Sequence, residues 1–222
     1  MRVIHDLDLI VNAGERIGLV GLNGHGKSTL FYAIAGLTGW QRGSIRLNGV
    51  EVGRNRSQGP GRYTHQVVHQ GLALIPQGDE IFHGLTVEEH LDSGAFTKRA
   101  WRERAERKKR ILEIFPPLVK LMGIPVGRLS GGERRMVSIG RGLMADASLF
   151  LVDEPSLGLA PKIGKGVLDA LMSVELGDSA MVIAEQNVAL LEGRVDRVIG
   201  MHVGKLKGEA SAALMLNAKR EI

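Results

Sequence analysis

The sequence of 222 residues contains no cysteine. This absence excludes a disulfide scaffold, a zinc site with cysteine ligands and catalysis by a thiol nucleophile. Aromatic residues make up only 4% of the chain, which argues against a nucleic-acid surface built from stacked rings. No apolar run approaches the roughly 18 residues that a membrane-spanning helix needs. The opening residues, MRVIHDLDLI, are interrupted by an acid and lack a small-residue cleavage site, so we expect no signal peptide and a soluble, cytoplasmic protein.

Glycine, in contrast, is abundant, with 30 residues, and this favours binding loops that present their backbone to a ligand. Hydrophobic residues account for 44% of the chain and charged residues for 24%, which is typical of a globular protein and excludes intrinsic disorder. The length suits a single α/β domain with a core of its own.

The net charge of +5 is concentrated in one segment. Residues 98–110 contain eight basic and two acidic side chains, a local charge of +6. Such a segment could contact nucleic acid or an anionic membrane, or it could be the solvated face of a helix. The helix interpretation is favoured, because Glu103 with Arg107 and Glu106 with Arg110 have the spacing of helix ion pairs. We therefore expect no nucleic-acid partner.

Hydrophobic periodicity predicts strands alternating with helices. The strands are predicted at 7–11, 16–20, 44–47, 72–76, 148–153 and 180–185, with a closing hairpin of 197–203 and 205–207. Helices are predicted at 27–37, 133–144 and 161–174, within a largely helical stretch from 86 to 145, and at the end of the chain, while 53–64 reads as a loop. The continuous apolar strands are typical of a parallel sheet covered on both faces, so the fold class is α/β with a helical insert.

A glycine-rich loop between a strand and a helix carries the clearest chemical signal. The residues GLNGHGKS at 21–28 match the phosphate-binding pattern G-x-x-x-x-G-K-[ST]. Glycines let backbone N–H groups curl around phosphate oxygens, Lys27 would reach the β- and γ-phosphates, and the Ser28 hydroxyl would ligate Mg²⁺. His25 is expected to face solvent. The residues expected to bind nucleotide are Gly21, Asn23, Gly24, Gly26, Lys27, Ser28 and Thr29.

Two adjacent acids end the apolar strand LFLVDEP at 149–155. Carboxylates in this position emerge at the carboxyl edge of an α/β sheet, where such folds place their ligands. Asp153 is suited to hold Mg²⁺, and Glu154 is suited to polarise an attacking water molecule.

A histidine pair, His65 and His69, has a spacing used in metal sites, but no third ligand lies near it, so a metal there is not favoured.

A third motif, LSGGE at 129–133, together with the phosphate loop and LFLVDEP, makes the chain resemble the ATP-binding subunit of an ABC transporter. The resemblance implies a P-loop cassette with a RecA-like core sheet and an inserted helical subdomain at about 84–145, within one domain spanning 1–222. It also implies that Ser130, Gly131 and Gly132 close on the ATP held by a second ATP-binding subunit, in a homodimer or heterodimer with two ATP molecules.

The same resemblance assigns two glutamines. Gln77 matches the glutamine that contacts Mg²⁺ or the attacking water. Gln186 occupies the place where most members have a histidine that contacts the γ-phosphate. The partners implied are two membrane-spanning permease subunits and, indirectly, a periplasmic or extracellular substrate-binding protein, which would place the chain on the cytoplasmic face of the cell membrane.

Further stretches of the sequence narrow the class of substrate that the transporter would carry. Residues 130–144, 153–161 and 182–187 resemble branched-chain amino acid uptake subunits, in particular the second ATP-binding subunit of that system. The stretch 76–91 is equally similar to urea and short-chain amide importers, and the residues SLGLAP favour branched-chain amino acids. Two other classes remain open, a soluble ABC ATPase of translation or DNA repair and a cassette that binds ATP without hydrolysing it.

The start of the chain departs from the family pattern. Aligning residues 3–15 with the family puts the adenine-stacking aromatic residue upstream of Met1 and leaves the family's first strand missing. We therefore expect an N-terminally truncated reading frame. A second departure is Ala160, which stands where most members of the family have an aspartate.

Overall fold

The computed structural model describes residues 3–39, 42–54 and 63–210. The chain divides into two compact units. The core unit comprises Met1–Leu74, Ala147–Asp153 and Leu176–Ile222, and the helical unit comprises Ile75–Asp146 and Glu154–Glu175.

Among its described residues, the core unit forms a sheet of six strands in the order β4-β5-β6-β1-β7-β8. Its members are β1 (Arg16–Val20), β4 (Leu72–Ile75), β5 (Leu149–Asp153), β6 (Ala180–Glu185), β7 (Arg197–His202) and β8 (Lys205–Ala210). Strand β6 pairs in parallel with β5 and β1, and β1 pairs in parallel with β7. The described part of this unit also contains helices α1 (Lys27–Ile34) and α2 (Thr64–His69), a separate hairpin of β2 (Ser44–Leu47) and β3 (Val50–Arg54), and a 3₁₀ turn at Val188–Leu190.

Burial explains why these strands read as continuous apolar runs. Every residue of β5 and β6 is buried, as expected for strands covered on both faces. Ile17 of β1, Phe31 of α1 and Val182 of β6 belong to one apolar cluster and are at most 1% exposed. The strand registers confirm the parallel pairing that the sequence predicts.

The turn residues determine where the two hairpins form. Asn48 and Gly49 join β2 to β3 with φ angles of 51° and 77°, the left-handed pair that a tight two-residue hairpin requires. The predicted closing hairpin is also confirmed, with β8 antiparallel to β7 and the turn at Val203 and Gly204.

The predicted strand at 7–11 is wrong, since these residues lie in no strand. Leu7, Leu9 and Val11 pack against the core cluster while Asp8 and Ile10 are exposed. Alternation therefore identified the buried side chains, but a strand also needs backbone pairing with a neighbour. Helix α2 begins at Thr64 inside the stretch predicted as a loop, whose residues 55–62 lie outside the described part, as does the predicted helix at the end of the chain.

The helical unit contains five α-helices among its residues, all of which the structure describes. They are α3 (Val87–Gly94), α4 (Lys98–Arg102), α5 (Arg104–Ile114), α6 (Gly131–Leu143) and α7 (Pro161–Met172), with 3₁₀ turns at Pro116–Leu121 and Val126–Arg128. Helices α3 and α6 each begin with a capping box, at Thr86 with Glu89 and at Ser130 with Glu133.

The basic segment 98–110 forms α4 and α5, and the ion pairs predicted from its spacing are confirmed. The guanidinium of Arg107 lies 2.7 Å from the Glu103 carboxylate, and that of Arg110 lies 3.5 Å from Glu106. Lys108 bonds to Glu88 of α3 at 2.8 Å, so part of the charge ties these two helices together. Across the described residues, no helix is both long and apolar enough to cross a membrane.

Two glycines of the helical unit differ in the space around them, so their replacement by alanine should have opposite effects on stability. A Cβ at Gly94 would lie 2.0 Å from the backbone oxygen of Arg141, so Gly94→Ala should lower the free energy of unfolding by about 1–3 kcal/mol. A Cβ at Gly166 in α7 would meet open space, so Gly166→Ala should raise it by about 0.4–1 kcal/mol through the unfolded chain's lost entropy. Urea titration measures both, and a Gly94→Ala protein at least as stable as wild type would contradict the packing argument.

Candidate functional site

The phosphate loop lies where the sequence predicts it, between the end of β1 at Val20 and the start of α1 at Lys27. Gly24 and Gly26 have φ angles of 80° and 103°, a region that other residues enter only with strain. A Cβ at Gly21 would lie 2.3 Å from the carbonyl oxygen of Met201, so the loop leaves β1 in direct contact with β7. The three glycines therefore serve both the curl of the loop and its close approach to the sheet.

Lys27 stabilises the loop from the first turn of α1. This residue is 3% exposed, and its ammonium donates to the carbonyl oxygens of Gly21 at 2.7 Å and Leu22 at 3.3 Å. The N–H groups of the first helical turn have no intrahelical acceptor, and the helix dipole adds positive potential at the same end. Fixed charge and oriented N–H groups together make this end of α1 suited to binding an anion.

Three strand ends meet beside the loop at the carboxyl edge of the sheet. Asp153, the fully buried last residue of β5, is in register with Ala184 of β6, and Val20 of β1 is in register with Glu185. The Gly21 amide donates to the Glu185 carbonyl at 3.4 Å, and the exposed Gln186 follows directly. The core unit thus brings the phosphate loop, Asp153 and Gln186 to one edge.

The donor set at this edge fits a nucleotide carrying Mg²⁺. The Ser28 hydroxyl, in the first turn of α1, and the Asp153 carboxylate are hard oxygen donors of the kind that Mg²⁺ takes in phosphate sites. The described residues contain no cluster of three or more His, Cys, Asp or Glu that could hold a metal on its own, and this includes the surroundings of His65 and His69 on α2.

The expectation that His25 faces solvent is wrong. Its ring is half-buried, with Nδ1 3.0 Å from the Met201 carbonyl oxygen and an edge-to-face contact of 4.7 Å with His202. Its carbonyl also accepts from the Gly204 amide at 2.9 Å. The imidazole packs here because the loop approaches β7 closely, and His25 fastens the loop to the end of that strand.

In the helical unit, Gln77 and Glu154 each follow a strand. Gln77 is exposed two residues after β4, and Gly78 beside it has a φ angle of 82°. Glu154, the residue after β5, is 5% exposed and has a φ angle of 42°, which is uncommon for a residue with a side chain. Left-handed backbone at a non-glycine residue stores strain of about 1–3 kcal/mol and clusters at functional sites.

The LSGGE motif begins helix α6, with Ser130 as its N-cap. The Ser130 hydroxyl donates to the Glu133 carboxylate at 2.6 Å, and its amide donates to the same carboxylate at 2.8 Å. Both bonds favour the ionised carboxylate and lower the pKa of Glu133 below its ordinary value. A Cβ at Gly132 would lie 2.9 Å from Ile163 Cγ2, so this glycine allows α6 to approach α7.

Sequence reasoning missed Arg135, a buried cation of the helical unit. Arg135 is 2% exposed. Its guanidinium donates to the carbonyl oxygens of Pro76 and Gly78, which flank Gln77, and to that of Pro155, which follows Glu154. A signal was present, because Arg135 shares a helix face with Ile139 and Gly142, where an apolar residue would be expected.

The predicted residues thus fall into two groups. The core unit holds the phosphate loop, Asp153 and Gln186, and the helical unit holds Gln77, Ser130–Gly132 and Glu154. Within the helical unit, Arg135 brings the backbone beside Gln77 to the backbone beside Glu154.

Comparison with known proteins agrees with this fold and these motifs. The family model described as ABC transporter matches residues 4–157. The high-affinity branched-chain amino acid transport ATP-binding protein BraG of Pseudomonas aeruginosa is 34% identical over 99% of this chain and 91% of its own length. The probable branched-chain amino acid transport ATP-binding protein LivF of Archaeoglobus fulgidus is 35% identical over 85% of this chain and 77% of its own.

A solved ATP-binding subunit of an ABC transporter superposes with a TM-score of 0.75 and 26% identity, over 98% of this chain and 87% of that one. The α/β cassette fold expected from the sequence is confirmed. The chain belongs to the ABC transporter family and is one of its ATP-binding, ATP-hydrolysing subunits.

Proposed function

We propose that this chain energises the uptake of branched-chain amino acids across the cytoplasmic membrane. The similarity to BraG carries the proposal, because it extends over nearly the full length of both chains. Sequence identity over this length leads us to expect that the two transporters carry the same class of substrate. The substrate itself would contact other subunits.

ATP would be held by the phosphate loop of the core unit. Backbone N–H groups of the loop, including those of Asn23 and Gly24, would bind the β- and γ-phosphates, with Lys27 supplying charge. Ser28 and Thr29 follow Lys27 in the first turn of the same helix. Support comes from the left-handed glycines and from the buried ammonium already bonded to the loop.

Magnesium would be held by Ser28, Gln77 and Asp153. When bound, the ion would neutralise part of the negative charge that the β- and γ-phosphates carry. The fit rests on the oxygen donors of these side chains and on the burial of Asp153, which places a carboxylate in a low-dielectric setting where its charge acts strongly.

Glu154 would act as the general base. Its carboxylate takes a proton from a water molecule whose oxygen bonds to the γ-phosphorus, while the bond from that phosphorus to the β–γ bridging oxygen breaks and releases ADP and phosphate. Gln186 would donate a hydrogen bond from its amide to the γ-phosphate, and it cannot become cationic. The support for Glu154 is its burial and its strained backbone directly after β5.

The assembly would be a dimer on the cytoplasmic face of the membrane. ABC ATP-binding subunits dimerise and pair with permeases. Here the N-terminus of α6, with Ser130, Gly131 and Gly132, would bind the ATP held by a second ATP-binding subunit, identical or similar. Two membrane-spanning permease subunits would receive the resulting movement, and a periplasmic or extracellular substrate-binding protein would deliver the cargo to them.

Uptake of labelled leucine and of labelled urea tests the cargo. Cells lacking this chain should lose leucine uptake and keep urea uptake, and re-expression of the wild-type chain should restore it. Re-expression of Glu154→Gln is the matched control and should not restore it, because that protein would lack the base. Loss of urea uptake alone would move the assignment to short-chain amides, and unchanged uptake of both would contradict the proposal.

A further inference from the structure

We propose that Arg135 is a positioning residue that holds the backbone of Gln77 and of Glu154 in the arrangement needed for ATP hydrolysis. The inference rests on the roles proposed above for those two residues and extends them to a third, which would touch neither ATP nor water.

The contacts of Arg135 converge on two short segments of the helical unit. One guanidinium nitrogen, Nη1, donates to the carbonyl oxygen of Pro76 at 2.8 Å and also to that of Gly78. Nε of the same side chain donates to the carbonyl oxygen of Pro155 at 3.2 Å. A single planar group therefore links the segment after β4 to the segment after β5.

Each segment contains one proposed functional residue at the point of contact. Gln77 lies between the two carbonyls that Arg135 binds, so its backbone is fixed on both sides. Glu154 precedes Pro155 and has its backbone at a φ angle of 42°, a conformation that persists only where surrounding contacts enforce it. Loss of the hydrogen bond from Arg135 to the Pro155 carbonyl would remove that constraint from the residue next to Glu154.

The chemistry of arginine suits this task better than that of any apolar residue on the same face. Burying a charge is costly unless hydrogen bonds compensate for it, and Arg135 is 2% exposed with three carbonyl partners. Its guanidinium presents donors in a rigid fork, whereas a lysine ammonium is a flexible point charge and holds divergent acceptors less well. A cation that served packing alone would be replaceable by a residue of similar volume.

Arg135 also lies two residues after the LSGGE motif, on the same helix. Helix α6 begins at Gly131, so its first turn and the anchor of Arg135 move as one rigid element. Binding of a partner's nucleotide at the N-terminus of α6 would thereby bear on Gln77 and Glu154 through this side chain.

The experiment compares Arg135→Met and Arg135→Lys with Arg134→Lys in the full chain. Arg134 is the matched control, since it binds the Asp79 carboxylate and the Leu129 carbonyl, both at 2.9 Å, without reaching the carbonyls that flank Gln77. The readouts are kcat and KM for ATP, nucleotide binding, and the thermal unfolding midpoint.

We expect kcat to fall roughly 100-fold in Arg135→Met, the size of loss that a displacement of about 1 Å produces, with KM and nucleotide affinity little changed. Arg135→Lys should recover part of that loss, and Arg134→Lys should keep the wild-type kcat. Amide hydrogen exchange should quicken at Gln77–Asp79 and at Ser156 in both Arg135 variants, while α7 stays protected.

Three results would overturn the positioning role. They are a wild-type kcat in folded Arg135→Met, an equal loss of kcat in Arg134→Lys, and unfolding of both Arg135 variants, which would make the role purely structural. Glu154→Gln is measured alongside to separate the two claims. If that variant keeps the wild-type kcat, the proposed base is wrong, whereas an inactive Glu154→Gln beside an active Arg135→Met refutes the positioning role alone.

Discussion

Glu154→Gln should lower steady-state ATP hydrolysis by at least about 100-fold, the lower end of what a general base contributes. The amide keeps the size and hydrogen-bonding reach of the carboxylate but cannot accept the proton of the attacking water. Because Glu154 is 5% exposed, bulk water cannot easily supply a substitute base. Phosphate release from purified protein measures the loss.

Binding should separate from hydrolysis in the same variant. ATP affinity should stay within about threefold of wild type, a difference below 1 kcal/mol. The reason is that the phosphate loop consists of other residues, which this substitution leaves unchanged. Glu175→Gln, the same change at an exposed glutamate of the helical unit, should leave turnover unchanged. Wild-type turnover in Glu154→Gln would show that another group activates the water.

Lys27→Met should abolish tight ATP binding, with a fall in affinity of at least about 100-fold. Two charge-assisted hydrogen bonds to phosphate contribute about 3 kcal/mol or more, which corresponds to that factor. The substitution also removes the bonds from the ammonium to the Gly21 and Leu22 carbonyls, so the loop loses an internal tie as well as its charge. Titration with a fluorescent ATP analogue measures the change.

Lys162→Met provides the matched control for this loss. Lys162 lies in the first turn of α7, as Lys27 lies in the first turn of α1, but its side chain is exposed. Its replacement should leave ATP affinity unchanged. Wild-type affinity in Lys27→Met would mean that the phosphates bind elsewhere.

The parts of the fold that were predictable are those governed by local chemistry. The left-handed turn at Asn48 and Gly49 follows from the residues themselves, and the phosphate loop follows from its glycines and the helix after it. The apolar runs of β5 and β6 fix their burial on both faces, which in turn places Asp153 at the carboxyl edge.

The parts that were missed depend on neighbours distant in sequence. The stretch 7–11 has the alternation of a strand, but backbone pairing decides strand formation and alternation does not report it. His25 looked like a surface residue because its partners, Met201 and His202, lie far along the chain. Arg135 was missed, because its three carbonyl acceptors come from loops that only the fold brings together.

The most direct test of the account is phosphate release and ATP binding measured on three purified proteins, wild type, Lys27→Met and Glu154→Gln. We expect wild type to bind and hydrolyse ATP, Glu154→Gln to bind it without hydrolysis, and Lys27→Met to do neither. Equal phosphate release from wild type and Glu154→Gln would contradict it.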